Sequence, residues 1–189
     1  MTPPALDLFY ASHFGHTEKI AHALAEHLAT AGLTVRTENL AREPRPTPTH
    51  LHGARLHGPG VCVLLAAVRY GRHLPPARRL LAALVREAPT RPLVLLSVNL
   101  TARKPGKRSA TGSPYLRKWI RRSGARPVLA EAIAGKLEYP RYNAFDRTAI
   151  RFIMALTGGP TGVGTVCDYT PWPELPALAA RIAAVARRG

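Results

Sequence analysis

Only two cysteines stand in this chain of 189 residues, Cys62 inside an apolar run and Cys167 far from it. Two such thiols build no disulfide framework and no zinc spacing, which suits a reducing compartment, and both read as small buried hydrophobes. Long apolar runs are missing as well. The longest, Val61 to Val68, is strand-sized and far short of a membrane span, and no charged-then-apolar leader opens the chain. A protein kept in the cytosol is therefore expected. Acidic residues are scarce: 11 Asp and Glu face 27 Lys and Arg, a formal charge of +16 that favours anionic partners and says nothing about fold. His50, His52, His57 and His73 lack carboxylate or cysteine companions at ligand spacing, so solvent-facing loops are expected for them and no metal. No linker divides the sequence, and residues 1–189 are expected to form one domain. Nucleotide-loop glycines are absent too. Without a Gly-Lys-Ser/Thr ending there is no lysine or magnesium ligand for ATP or GTP, and without G-x-G-x-x-G no room is cleared for a dinucleotide pyrophosphate.

What is present is an apolar strand, Leu6 to Ala11, running into Ser12-His13-Phe14-Gly15-His16-Thr17 and then a helix. A helix that opens directly after a strand turns unpaired N–H groups and a positive dipole end outward, where a phosphate can sit. Ser12 and Thr17 add hydroxyls, and Gly15 keeps a side chain out of the way. A single glycine favours one terminal phosphate, as on FMN, over NAD or FAD; an ordinary strand-to-helix turn is the alternative. Beyond it, Ile20, Leu24 and Leu28 form a one-sided stripe closed by Gly32. Leu33 to Glu38 reads as a strand, and Ala41 to Gly60 as an irregular connection with room for a short helix. Val61 to Ala67 and Pro92 to Val98 are continuous apolar runs, as in parallel strands covered on both faces. Helices are expected over Leu74 to Arg86, Pro114 to Arg122, Phe145 to Leu156 and Pro173 to Arg187, with strands over Pro127 to Ala134 and Val166 to Tyr169. Such alternation predicts an open α/β sheet with ligands at the carboxyl ends of its strands. Three loops reach that edge: Ser12 to Thr17, Val68 to His73, and Asn99 onward.

The cradle is followed by Val68-Arg69-Tyr70-Gly71, SVNLTARKPGKR (Ser97 to Arg108), Tyr115-Leu116-Arg117-Lys118, AGKLEYPRY (Ala134 to Tyr142) and DRTAIRFIMALTGG (Asp146 to Gly159). In this combination the chain resembles the menaquinone-dependent protoporphyrinogen IX dehydrogenases, flavodoxin-fold enzymes of bacterial haem synthesis. The resemblance implies FMN, a three-layer sandwich around a five-stranded parallel sheet, and an insertion in or before the last strand. That insertion would include Tyr139 to Gly164, with Val166 to Tyr169 completing the strand. It also implies oxidation of protoporphyrinogen IX, with electrons passed to menaquinone or a related quinone at the inner face of the cell membrane. His13, Phe14 and His16 depart from the family's usual cradle residues, Phe14 standing where an acidic or small residue is common.

On that basis the cofactor contacts expected are Ser12 to Thr17, then Val68, Arg69, Tyr70 and Gly71, then Val98, Asn99 and Leu100. Tyr70 would lie against the isoalloxazine, or merely cap the sheet edge. Arg69 would neutralise reduced flavin or grip a substrate carboxylate, or make no specific contact. Asn99 and the backbone from Val98 to Thr101 would bond the flavin's polar edge, or Asn99 would only form a turn. From Thr101 to Arg126 nine basic residues occur with no acidic one. Arg103, Arg108 and Arg117 are candidates for the two propionates of the porphyrinogen. These three with Lys104 and Lys107 are equally candidates for an anionic membrane surface. Tyr115 and Trp119 interleave with the charges, yet no nucleic-acid recognition fold accompanies them, and no nucleic acid is expected. Phe145, Ala149, Ile150, Ile153 and Met154 follow helical spacing, for packing on the sheet or for dipping into headgroups. A non-enzymatic flavodoxin-type carrier and a flavin-dependent quinone reductase stay open as alternatives, as does a homo-oligomer, although carriers are typically acidic around the flavin.

Overall fold

The computed structural model describes residues 5–40, 56–58, 60–156 and 158–188. Most of the connection from Ala41 to Gly60, with His50 and His52, lies outside the described residues. In chain order the elements are β1 (Ala5–Ala11), α1 (His16–Thr30), β2 (Thr34–Asn39), β3 (Val61–Arg69), β4 (Arg72–His73), α2 (Pro75–Glu87), β5 (Leu93–Asn99), α3 (Pro114–Ser123), β6 (Leu129–Ala134), β7 (Lys136–Glu138), α4 (Ala144–Leu156), β8 (Val166–Asp168) and α5 (Leu175–Ala186).

The main sheet runs β2-β1-β3-β5-β6, all parallel, with β4 folded back antiparallel on the end of β3. Side chains alternate across it. Leu6, Leu8, Val63, Leu65, Val94 and Leu96 face α1 and α5, while Phe9, Cys62, Leu64 and Leu95 face α2 and α3. Both faces are covered, which is why these strands read as unbroken apolar runs. The order reverses at β1 and β3, so the loops after them flank a crevice.

One carboxylate sits inside this sheet. Asp7 in β1 is fully buried, and its oxygens take Arg91 Nη2 at 2.6 Å and Arg36 Nε at 2.9 Å. Arg91 also donates to the carbonyls of Gly60 (3.1 Å) and Leu56 (3.2 Å), tying the segment before β3 to the segment before β5.

Two expectations are corrected. Val166 to Tyr169 does not complete a parallel strand: β8 pairs antiparallel with β7, Leu137 opposite Cys167. The fifth parallel strand, β6, is already complete against β5 from Leu129 to Ala134, so the insertion follows it rather than interrupting it. It has its own apolar cluster of Leu137, Tyr139, Tyr142 and Met154, with half-buried Cys167 packed against it.

His73, expected on a solvent-facing loop, is buried. The β3–β4 hairpin folds it back under α3, where its ring stacks on Trp119 at 3.9 Å and Nε2 lies 2.7 Å from Ser97 Oγ. Burial, reinforced by the nearby Arg78 charge, pushes its pKa down to about 3. A folded-state pKa below the unfolded value of about 6.5 means that folding disfavours protonation. This contribution is complete above pH 6.5 and drains away as pH falls towards 3. Urea midpoints of the wild type should fall more steeply between pH 7 and pH 4 than those of His73→Phe.

Candidate functional site

The crevice is closed on three sides by chain segments that the fold brings to one edge. The first is the turn after β1. Gly15 caps α1 in the left-handed region, at φ +85, and its N–H donates to Ser12 Oγ at 3.0 Å. That bond uses the Ser12 oxygen as acceptor and leaves its proton for a ligand. The N–H groups of His16 and Thr17, in the first turn, have no acceptor within the helix. A Cβ built on Gly15 meets nothing within 4 Å, so the space over the cradle is open.

The second wall is the hairpin turn Tyr70-Gly71. Val68 pairs with His73 and Arg69 with Arg72, leaving a two-residue loop with φ of +49 at Tyr70 and +71 at Gly71. Positive φ at both central residues is what a type I′ turn needs, and asparagine is the residue usually found at the first of them. Tyr70 is 54% exposed, with the Arg69 guanidinium 4.8 Å from its ring centre and Phe145 at 6.0 Å. A large aromatic held at positive φ is local strain of the kind that persists where a side chain is needed in place.

The third wall begins at Asn99. Its Oδ1 accepts from the Ala102 N–H (3.1 Å) and the Thr101 hydroxyl (2.6 Å), capping a 3-10 turn from Leu100 to Arg103. Its Nδ2 donates to Ser97 Oγ at 3.1 Å. The amide is thus committed within the protein, in the arrangement of a turn-forming side chain.

The insertion roofs the crevice. Lys136, Glu138, Arg141, Tyr142, Ala149, Ile150 and Ile153 complete the lining beside Ser12, His13, Phe14, His16, Thr17, Val68, Arg69, Tyr70, Gly71, Val98, Asn99, Leu100 and Arg103. Neither expectation for α4 describes it fully. It packs on the β7–β8 hairpin through Met154 and on the crevice through Ile150, while Phe145 and Phe152 project outward, 73% and 66% exposed. Phe14 now has a physical reason. Its ring lies 5.3 Å from Tyr142, and Arg141 Nη1 donates to its carbonyl at 3.0 Å, fastening cradle to insertion. A Cβ on Gly159 would meet the ends of the Met154 and Arg103 side chains, flexible groups that can shift aside.

A polar clamp completes the cradle. The Thr170 hydroxyl donates to the Ala134 carbonyl at 3.0 Å, so its oxygen accepts from His16 Nε2 at 2.6 Å. Burial holds the His16 pKa below its usual range, with Asp168 opposing and Lys136 and Lys19 adding to the effect. Burial alone would raise the Asp168 pKa, but hydrogen bonds from Thr170 and Trp172, with His16 nearby, outweigh it and lower it.

Of the candidates in the basic stretch after Thr101 only Arg103 lines the crevice, where Arg69 of the hairpin also stands. Arg108 Nη1 is paired with Glu174 at 2.5 Å, and Arg117 reaches the Thr111 carbonyl. Lys104 and Lys107 lie outside the lining. Tyr115, part of the Tyr115-Leu116-Arg117-Lys118 motif and an aromatic among charges, lines the crevice as well. Among the described residues no cluster of metal ligands occurs, and no helix is long and apolar enough to cross a membrane.

Known proteins match this architecture. The Flavodoxin domain model matches residues 8–163. Protoporphyrinogen IX dehydrogenase [quinone] of Escherichia coli strain K12 is 31% identical over 176 residues, 93% of each chain. The Leishmania major protein of the same name is 40% identical over 123 residues, 65% of this chain and 53% of that one. An archaeal flavodoxin superposes with a TM-score of 0.54 at 14% identity, covering 97% of this chain and 99% of its own, a likeness of fold alone. The sheet order, the roofed crevice and these matches lead to one assignment: the chain belongs to the flavodoxin-domain family and, within it, to the protoporphyrinogen IX dehydrogenase [quinone] family of oxidoreductases.

Proposed function

We propose that this protein binds FMN in the crevice and oxidises protoporphyrinogen IX to protoporphyrin IX, passing the electrons to a membrane quinone such as menaquinone. The observation that carries the reading is the open, glycine-capped cradle facing the Tyr70-Gly71 turn across a crevice whose remaining walls are largely apolar. The phosphate would take the Ser12 and Thr17 hydroxyls and the first-turn N–H groups of α1, and its charge suits that helix end. Tyr70 and Gly71 would bound the ring system on one side and the backbone from Val98 to Thr101 on the other. Bound there, FMN would supply the two-electron redox chemistry. The chain orients the reactants and excludes water: Ala149, Ile150 and Ile153 form an apolar roof. Exposed Phe145 and Phe152, with exposed Arg151 on the same helix, support peripheral contact with an anionic membrane.

The test is porphyrin fluorescence appearing when the FMN-loaded protein receives protoporphyrinogen IX and a water-soluble quinone, compared with flavin-free protein. Equal rates in both would end the reading. Tyr70 offers a sharper check of the ring's position. Tyr70→Gly removes both the strain and the aromatic, so stability should rise by about 1 kcal/mol while FMN affinity falls. Denaturant midpoints and flavin titrations read the two effects separately.

A further inference from the structure

A second cavity adjoins the crevice, sharing Gly71 and Tyr115 with it. Among the described residues four cations and no acid surround it: Arg72 from the hairpin, Arg78 from α2, and Lys118 and Arg122 from α3. Helical spacing explains the grouping. Lys118 and Trp119 lie three and four residues after Tyr115 and four and three before Arg122, which puts all four on one face of α3, while Arg117 and Arg121 do not line the cavity. All four cations are exposed, and among the described residues none has an ion-pair partner. The floor is the buried Trp119–His73 stack.

We propose that this cavity seats the carboxylates of the tetrapyrrole substrate, a role that rests on the dehydrogenase reading above. The propionates must be held beside the flavin, yet of the cations expected to do so only Arg69 and Arg103 line the crevice, and the remaining candidates from the basic stretch turn elsewhere. Arg108 is paired with Glu174, Arg117 bonds a carbonyl of its own loop, and Arg103 donates to the Leu100 carbonyl and lies 5.6 Å from the Tyr169 ring centre. The second cavity supplies uncommitted cations across a shared wall. A flat macrocycle lying at the crevice mouth near Tyr70 and Tyr115 reaches past Gly71 with its acidic edge. Arginine forks and a lysine suit carboxylates, and the absence of any lining acid removes the competing partner.

The experiment compares binding of protoporphyrin IX and of its dimethyl ester to the FMN-loaded protein, followed by porphyrin fluorescence. The wild type is set against the triple variant Arg78→Gln/Lys118→Gln/Arg122→Gln. Exposed ion pairs contribute a few-fold each, so the variant should raise the Kd of the diacid about tenfold. The Kd of the ester should stay within about twofold, and the flavin content should not change. The KM for protoporphyrinogen IX should rise in step. Wild type should itself prefer the diacid to the ester, which needs no variant to fold. Equal affinity of wild type for acid and ester, or parallel weakening of both in the variant, overturns the assignment. So does a variant that loses binding only to phosphatidylglycerol vesicles, since the cations then serve lipid. Wild type that oxidises protoporphyrinogen but shows no acid preference sinks this site alone. Wild type that fails to oxidise it sinks the dehydrogenase reading itself.

Discussion

Gly15→Val protein is expected to purify without flavin while remaining folded. The residue caps α1 at φ +85, where a β-branched side chain costs about 1–2 kcal/mol. No protein atom lies within 4 Å of the added Cβ, so the fold absorbs that cost without a clash. The branched methyls would instead occupy the space in which the phosphate must meet the first-turn N–H groups. A flavin-to-protein ratio falling from near one to near zero, with a Tm lowered by only a few degrees, is the expected result. Gly15→Ala, which pays the backbone cost with a smaller obstruction, should lie between the two. Full flavin retention in Gly15→Val would remove the cradle from the account.

The largest stability effect is expected at Asp7. Replacing it with alanine leaves Arg91, only 5% exposed at its side chain, without the carboxylate that compensates its charge. Breaking a buried pair in this way costs about 3–5 kcal/mol, a large share of the stability of a typical domain. Arg36 is half-exposed and loses far less. Chemical denaturation should show the lowered midpoint, and adding Arg91→Met should recover part of it by removing the buried positive charge. A loss under 1 kcal/mol in Asp7→Ala would mean that Arg91 is solvated in spite of its burial.

The parallel core was legible in sequence because its physics is local. Unbroken runs such as Val61 to Ala67 mean strands covered on both sides, and the stripe of Ile20, Leu24 and Leu28 means a helix with one buried face. The three loops at the strand ends followed from topology, and the structure brings their residues to one crevice, with Gly15 capping the helix beside it. What the sequence hid depends on long-range closure. His73 looked like a loop histidine because nothing local tells that Tyr70-Gly71 folds a two-residue hairpin back under Trp119. The roof from α4 was hidden for a similar reason: Ile150 and Ile153 are spaced as core residues, and no pattern says whether a core or a crevice receives them. The basic stretch misled through its density. Counted along the chain, Arg103, Arg108 and Arg117 belong together; in space Arg108 turns to Glu174, while Lys118 and Arg122 join Arg72 and Arg78 from earlier elements. Asn99 shows the reverse case, since the modest reading of a turn-forming side chain is the geometry found.

The central claim is tested most directly by titrating the FMN-loaded protein with protoporphyrinogen IX under strict anaerobiosis, following flavin absorbance and porphyrin fluorescence together. Conversion to protoporphyrin IX removes six electrons, so one porphyrin should appear for every three flavins bleached, and a menaquinone analogue should restore the yellow colour. Flavin that stays oxidised in the presence of excess porphyrinogen would contradict the account and leave an electron carrier, or a quinone reductase with another donor, in its place.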